Sequence, residues 1–316
     1  MLCKYEKICY NKAMSNQTKK NSEGFLSSLI GEKTPSKTAG LTYTVSALAI
    51  FGVSFLLLLF PLPQEGEFFL YLNYLAAPIA FFLTGFWYFS YTKSSLKAFI
   101  KEQKCPWKYY LIAILLQVGL LSLTELNNLF LEFLGRFGYK PSELQLPNMQ
   151  GAGFIGVLFT VAVLPAIMEE FLFRGIFLRE TKDFSLWVRV LLCGGLFALY
   201  HQNPAQTAYQ FVCGVAFALV AIKAGSILPT VLSHFINNAS ILCLYKLGIT
   251  DFPTPMYAII LAVSAVCLVG VFVYLLVFDR KEEEKGKGSI GQFFICASVG
   301  VFMLALSWIT TLTVGF

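Results

Sequence analysis

The chain has 316 residues, 57% of them hydrophobic and only 13% charged, with a formal net charge of +6 and a mean hydropathy of +0.67. Soluble domains carry about a quarter charged residues, so this balance excludes a soluble globular protein. It predicts an all-α, polytopic transmembrane helix bundle whose apolar surface is divided between packing and lipid.

Residues 1–40 are polar and lysine-rich and lack the apolar core, about 7 to 15 residues long, of a cleavable signal peptide. They are expected to form a cytoplasmic tail able to lie on anionic lipid. Residues 41–316 read as the transmembrane domain. Apolar segments near the spanning length of about 20 residues follow one another at Leu41–Phe60, Phe68–Tyr91, Tyr109–Phe133, Ala152–Leu178, Leu186–Tyr200, Ala205–Ala224, Ile227–Leu247, Met256–Phe278 and Ile290–Val314. This predicts about nine helices.

Lysine and arginine collect in cytoplasmic loops. With the N-terminus inside, the tail and the second, fourth, sixth and eighth loops hold nearly all the basic residues. Only Arg136, Lys140 and Lys246 fall outside, and Arg174 lies within a helix. The pattern predicts an N-terminus inside and a C-terminus outside. The positive charge is thus a topology signal. The basic residues do not interleave with exposed aromatics along one face, so nucleic acid is excluded as a partner. The eight cysteines contain no CxxC pair and read as buried thiols.

A charged side chain at bilayer depth costs at least about 2.5 to 3.5 kcal/mol, which makes each one a functional-site candidate. The fourth segment holds three, in Pro165–Gly175, PAIMEEFLFRG. Glu170 and Arg174 are four residues apart, acid before base, and form an ion pair along one helix face. Glu169 points about 100° away and is left without that partner. A carboxyl group not held by a cation can take up and return a proton.

The chain has two histidines. FALYH puts Phe197 and His201 on one face, and HFINN does the same for His234 and Asn238, with Asn237 as a neighbour. One free glutamate, two imidazoles and an amide are the groups needed to activate a water and stabilise an oxyanion. Counted at about 1.5 Å per residue, Glu169 lies roughly 13 Å, His234 roughly 10 Å and Asn238 roughly 16 Å from the cytoplasmic ends of their helices. His201 comes out at roughly 20 Å or more, at odds with the other three. Convergence is expected in a cavity open to the cytoplasm. Glu125 and Glu132, beside Asn127 and Asn128 in the third segment, read as an amphipathic interface, and Asp279–Gly288 as a solvated loop.

EEFLFR, FALYH and HFINN match EExxxR, FxxxH and HxxxN, in order and on neighbouring segments. Over residues 151–248 the chain resembles the glutamic intramembrane endopeptidases of the CPBP or Abi family, which includes CAAX prenyl proteases and bacteriocin-processing enzymes. The resemblance implies that Glu169 and His201 activate the attacking water, that His234 and Asn238 form the oxyanion hole, and that Glu170 and Arg174 are a structural pair. It implies a membrane-anchored protein or peptide substrate, cleaved by an integral protein of the cytoplasmic membrane with no cofactor. Zinc held by the two histidines and the glutamates is the rival mechanism, although HExxH is absent. An immunity, scaffold or transport protein using the same fold is the non-catalytic alternative.

Overall fold

The computed structural model describes residues 32–60, 63, 66–141, 145–249, 252–279 and 287–314. Most of the predicted tail, and most of the charged loop at 279–288, lie outside these. The described residues form a polytopic helical bundle without strands: α1 Pro35–Leu59, α2 Glu67–Thr92, α3 Leu96–Lys101, α4 Lys108–Leu120, α5 Leu123–Gly135, α6 Gly153–Glu180, α7 Leu186–Tyr200, α8 Thr207–Ala224, α9 Leu228–Leu247, α10 Thr254–Phe278 and α11 Ile290–Val314.

Every predicted segment is helical, but the boundaries teach something. Helix α1 starts earlier than Leu41, because Thr34 accepts the Lys37 N–H through its hydroxyl (3.3 Å) and Pro35 suits the first turn. The third predicted segment breaks into α4 and α5, bent by 42°. At the break Ser122 and Thr124 turn their hydroxyls onto the carbonyls of Gly119 and Leu121, local bonds that compete with the helical ladder. Helix α3, unforeseen, is capped by Ser95.

Among the described residues, 6 helices are long and apolar enough to cross a membrane, or 7 if α4 and α5 count as one span. The remaining predicted segments are helical as well but fall short of that measure. Helix α7 has 15 residues and is about 22 Å long. Helix α9 has the length, but Ser233, His234, Asn237 and Asn238 dilute its apolarity.

Polar contacts nonetheless sort the connections onto two ends in the predicted alternation. At one end Ser226 Oγ donates to Gln103 O (2.6 Å), Arg179 pairs with Glu102 (3.0 Å), Tyr109 donates to Asp279 (2.7 Å) and Gly288 N to Asp183 O (2.9 Å). At the other, Tyr74 donates to Gln145 O (2.6 Å), Trp308 Nε1 to Thr207 Oγ1 (2.8 Å) and Tyr139 to Asn203 Oδ1 (3.4 Å). The first end carries Lys93, Lys104, Arg179, Lys182, Arg189 and Lys287, and is called the basic end below.

Helices α1 and α11 rise side by side from the basic end, tied by Thr34 to Gln292 (3.0 Å) and Thr44 to the Cys296 carbonyl (2.7 Å). Helices α7 and α8 touch backbone to backbone: a Cβ on Gly214 would sit 2.7 Å from Gly194 Cα. Small residues permit such approach where lipid gives helices no hydrophobic reason to associate. The buried core, with Phe81, Phe173, Phe177, Phe197 and Leu219, lies among α2, α6, α7 and α8.

Candidate active site

Helix α6 carries both glutamates and is irregular on either side of them. Leu158–Val163 and Phe171–Phe177 are π-helical, flanking Leu164–Glu170, and such wide turns are frequent at functional sites. Pro165 contributes, since it has no N–H for the Val161 carbonyl four residues earlier. That carbonyl accepts Nδ2 of Asn238 instead (3.2 Å).

Glu170 is fully buried, and its Oε1 accepts from Arg174 Nη1 (2.9 Å) and His234 Nδ1 (3.0 Å). The guanidinium also donates to Gly214 O (3.3 Å), which the absence of a side chain leaves accessible, and lies 4.2 Å over the Phe197 ring. The expected ion pair therefore exists, and it reaches further than expected: it holds a site histidine as well.

Glu169 is partly exposed at its side chain (14%), and its Oε2 lies 4.0 Å from His201 Nε2 and 3.9 Å from His234 Nε2. These separations exceed a hydrogen bond and suit groups that share one bridging water. His201 Nδ1 lies 2.9 Å from Phe197 O. A carbonyl can only accept, so Nδ1 carries the hydrogen, and the same holds for His234 Nδ1 against ion-paired Glu170. Both Nε2 atoms are thereby turned toward the Glu169 carboxyl.

The depth conflict of His201 resolves through side-chain direction. Every helical Cβ leans toward its helix N-terminus, and α6 and α7 run opposite ways. Glu169 leans away from the basic end while His201 leans back toward it. The shortness of α7 does the rest. Starting from the basic end, it stops after about 22 Å, whereas α11 continues for about 37 Å. The turn after α7 therefore lies about 15 Å short of the level that α11 reaches.

A cavity of about 220 Å³ adjoins Glu169, His201 and Gln202, with walls from Phe81, Phe173, Phe197 and Tyr200. This corrects the expectation of a cavity open toward the cytoplasmic, basic end, because Ile50, Ala77 and Gln202 place it on the far side of Glu169. A separate cavity of about 320 Å³ does lie at the basic end, lined by Arg174, Arg179, Lys182 and Arg189, but the Glu170–Arg174 pair stands between it and Glu169.

Glu169, His201 and His234 thus come together, with Glu170 and Arg174 directly behind. Asn238 stands one turn beyond His234, its amide fixed by Val161 O and by Asn237 Nδ2 (3.2 Å). Sequence reasoning missed the support for that amide: Asn237 Oδ1 accepts from Tyr209 OH (2.8 Å) and Gln117 Nε2 (2.9 Å), and Ser233 donates to Gln117 Oε1 (3.3 Å). The signal was Gln117, an amide within an otherwise apolar helix. Gln202 was missed too. Glu125, by contrast, accepts from Tyr257 OH and ties α5 to α10, a packing contact away from the site. Among the described residues no group of three His, Cys, Asp or Glu side chains is arranged to hold a metal ion.

Residues 151–240, which carry all six of these predicted side chains, match the family model described as Rce1-like, type II CAAX prenyl endopeptidase. The segment belongs to the CAAX protease family. No match was found among curated proteins or among solved structures. The spanning helices make the chain an integral membrane protein, and the matched residues run from the start of α6 into α9.

Proposed function

We propose that the chain is an intramembrane endopeptidase that hydrolyses peptide bonds of membrane-associated substrates, prenylated CAAX-type proteins or precursor peptides, through a water activated by Glu169 and His201. The observation that carries this reading is the placement of Glu169 Oε2 within 4.0 Å of both imidazole Nε2 atoms. A water held there gives a proton to Glu169 as its oxygen attacks the scissile carbonyl. The tetrahedral intermediate then breaks at the C–N bond, and the proton passes from Glu169 to the leaving amine. His201, held by the Phe197 carbonyl, orients the water.

His234 and Asn238 are the proposed oxyanion donors. Because His234 gives Nδ1–H to Glu170, it donates from Nε2 only as an imidazolium. Glu170 and Arg174 position that ring.

Zinc is the second reading, favoured by one observation: each histidine gives its Nδ1–H to a carbonyl or carboxylate, as zinc-bound imidazoles do. Against it, the separations exceed the roughly 3.4 Å between ligands on tetrahedral bonds of about 2.1 Å. Purified protein preincubated with a strong chelator is expected to keep cleaving a prenylated CAAX peptide. Loss of cleavage, restored by added zinc, would replace the glutamate mechanism with the metal one. Glu169→Gln is expected to abolish cleavage without loss of the folded protein. Unchanged cleavage in that variant would remove Glu169 from the mechanism, and no cleavage by the unaltered chain would favour a non-catalytic membrane protein.

A further inference from the structure

Helices α8 and α9 end at Gly225 (φ 66°) and Gly248 (φ 65°), left-handed positions that glycine fills without steric cost. Helix α7 also runs into a left-handed residue, after bonds from His201 N to Ala198 O and from Gln202 N to Leu199 O, but here that residue is Gln202 (φ 51°). A side chain with a Cβ is uncommon and strained there. Lys93, left-handed after α2 (φ 57°), brings a cation to a helix C-terminus, where the dipole favours it. Gln202 brings no charge.

The turn is held firmly enough to sustain the strain. Asn203 Oδ1 accepts from Ala205 N (3.0 Å), Thr207 Oγ1 donates to Asn203 O (3.0 Å), and Trp308 holds Thr207 from α11.

What Gln202 has is its place. It lines the cavity of about 220 Å³ with Glu169 and His201, where the other walls are apolar or aromatic. A peptide entering that cavity brings main-chain N–H and C=O groups that need partners away from water. A carboxamide offers a donor and an acceptor together.

We propose that Gln202 is a substrate-binding residue whose carboxamide pairs with the main chain of the peptide lying in the cavity beside Glu169. This rests on the proteolytic reading above. Gln202→Gly removes the carboxamide and suits the backbone, so a purely structural role and a binding role give opposite results.

The test uses the full chain in detergent and a fluorogenic farnesylated peptide ending in a CAAX sequence. The expected result for Gln202→Gly is a KM raised about tenfold, the size of one lost hydrogen bond, with kcat held within about twofold and Tm equal or higher. Gln202→Asn, which tolerates the left-handed backbone but is one methylene shorter, is expected to fall between the two. An unchanged KM in Gln202→Gly, or a lowered Tm with a matching loss of kcat, would overturn the proposal. Glu169→Gln in the same assay separates the failures. No cleavage by the unaltered chain sinks the proteolytic reading, continued activity of Glu169→Gln sinks the role of Glu169, and an inactive Glu169→Gln beside a normal Gln202→Gly sinks only the role of Gln202.

Discussion

Glu169 and Glu170 are the same residue type, adjacent on one helix, yet they inhabit two different regions of the protein. Glu170 faces a closed one, with no exposure, an arginine on one side and an imidazole on the other. Glu169 faces an open one, bordering a cavity, near two imidazoles but in hydrogen-bond contact with neither. The 100° turn between consecutive helical residues is the whole cause. A helix converts neighbours in sequence into occupants of separate surroundings, so one acid can hold the architecture while the other borders a cavity.

The comparison can be broken most directly at Glu169. Its exchange for Gln is expected to cost about 10²- to 10⁴-fold in cleavage, the usual contribution of a positioned acid or base, with thermal unfolding unchanged. A fall in stability comparable to that of the Glu170 side would erase the distinction. Arg174→Ala attacks that side. It leaves Glu170 buried without its cation, and about 3 to 5 kcal/mol of stability is expected to be lost, read as reduced accumulation and a lowered Tm. Normal accumulation of this variant would show that His234 alone can hold the carboxylate.

Asn237→Leu makes the smallest and sharpest probe. It strands Gln117 Nε2 and Tyr209 OH, at a cost of about 1 to 3 kcal/mol, and loosens Asn238 without touching either glutamate. A modest drop in Tm with a larger drop in kcat is expected. Equal, small effects on both would make the amide chain packing alone.

The helical bundle was legible because long apolar runs allow few other solutions in lipid, and the alternation of basic loops gave the correct ordering of its ends. The ionisable site was legible for a related reason. Placing Glu169, His201 and His234 in apolar helices is costly enough to stand out. Less costly groups did not stand out. Gln117 and Tyr209 carry no charge, and Gln202 looks like any loop residue until its backbone angle and its cavity are seen.

The bend between α4 and α5 hid behind an unbroken apolar run. The depth of His201 misled because counting residues along an axis ignores the direction in which side chains lean, and because α7 ends short of its neighbours. The cavity on the far side of Glu169 followed from that same shortness, which no periodicity reports.

Hydrolysis consumes its own solvent, and hydrocarbon supplies almost none. A helix that halts about 15 Å below the top of α11 leaves its last turn, with His201 and Gln202, at the edge of the cavity beside Glu169. Under the proposed mechanism, lengthening α7 by two turns would crowd that cavity and leave hydrolysis short of water, even with Glu169, His201 and His234 in place.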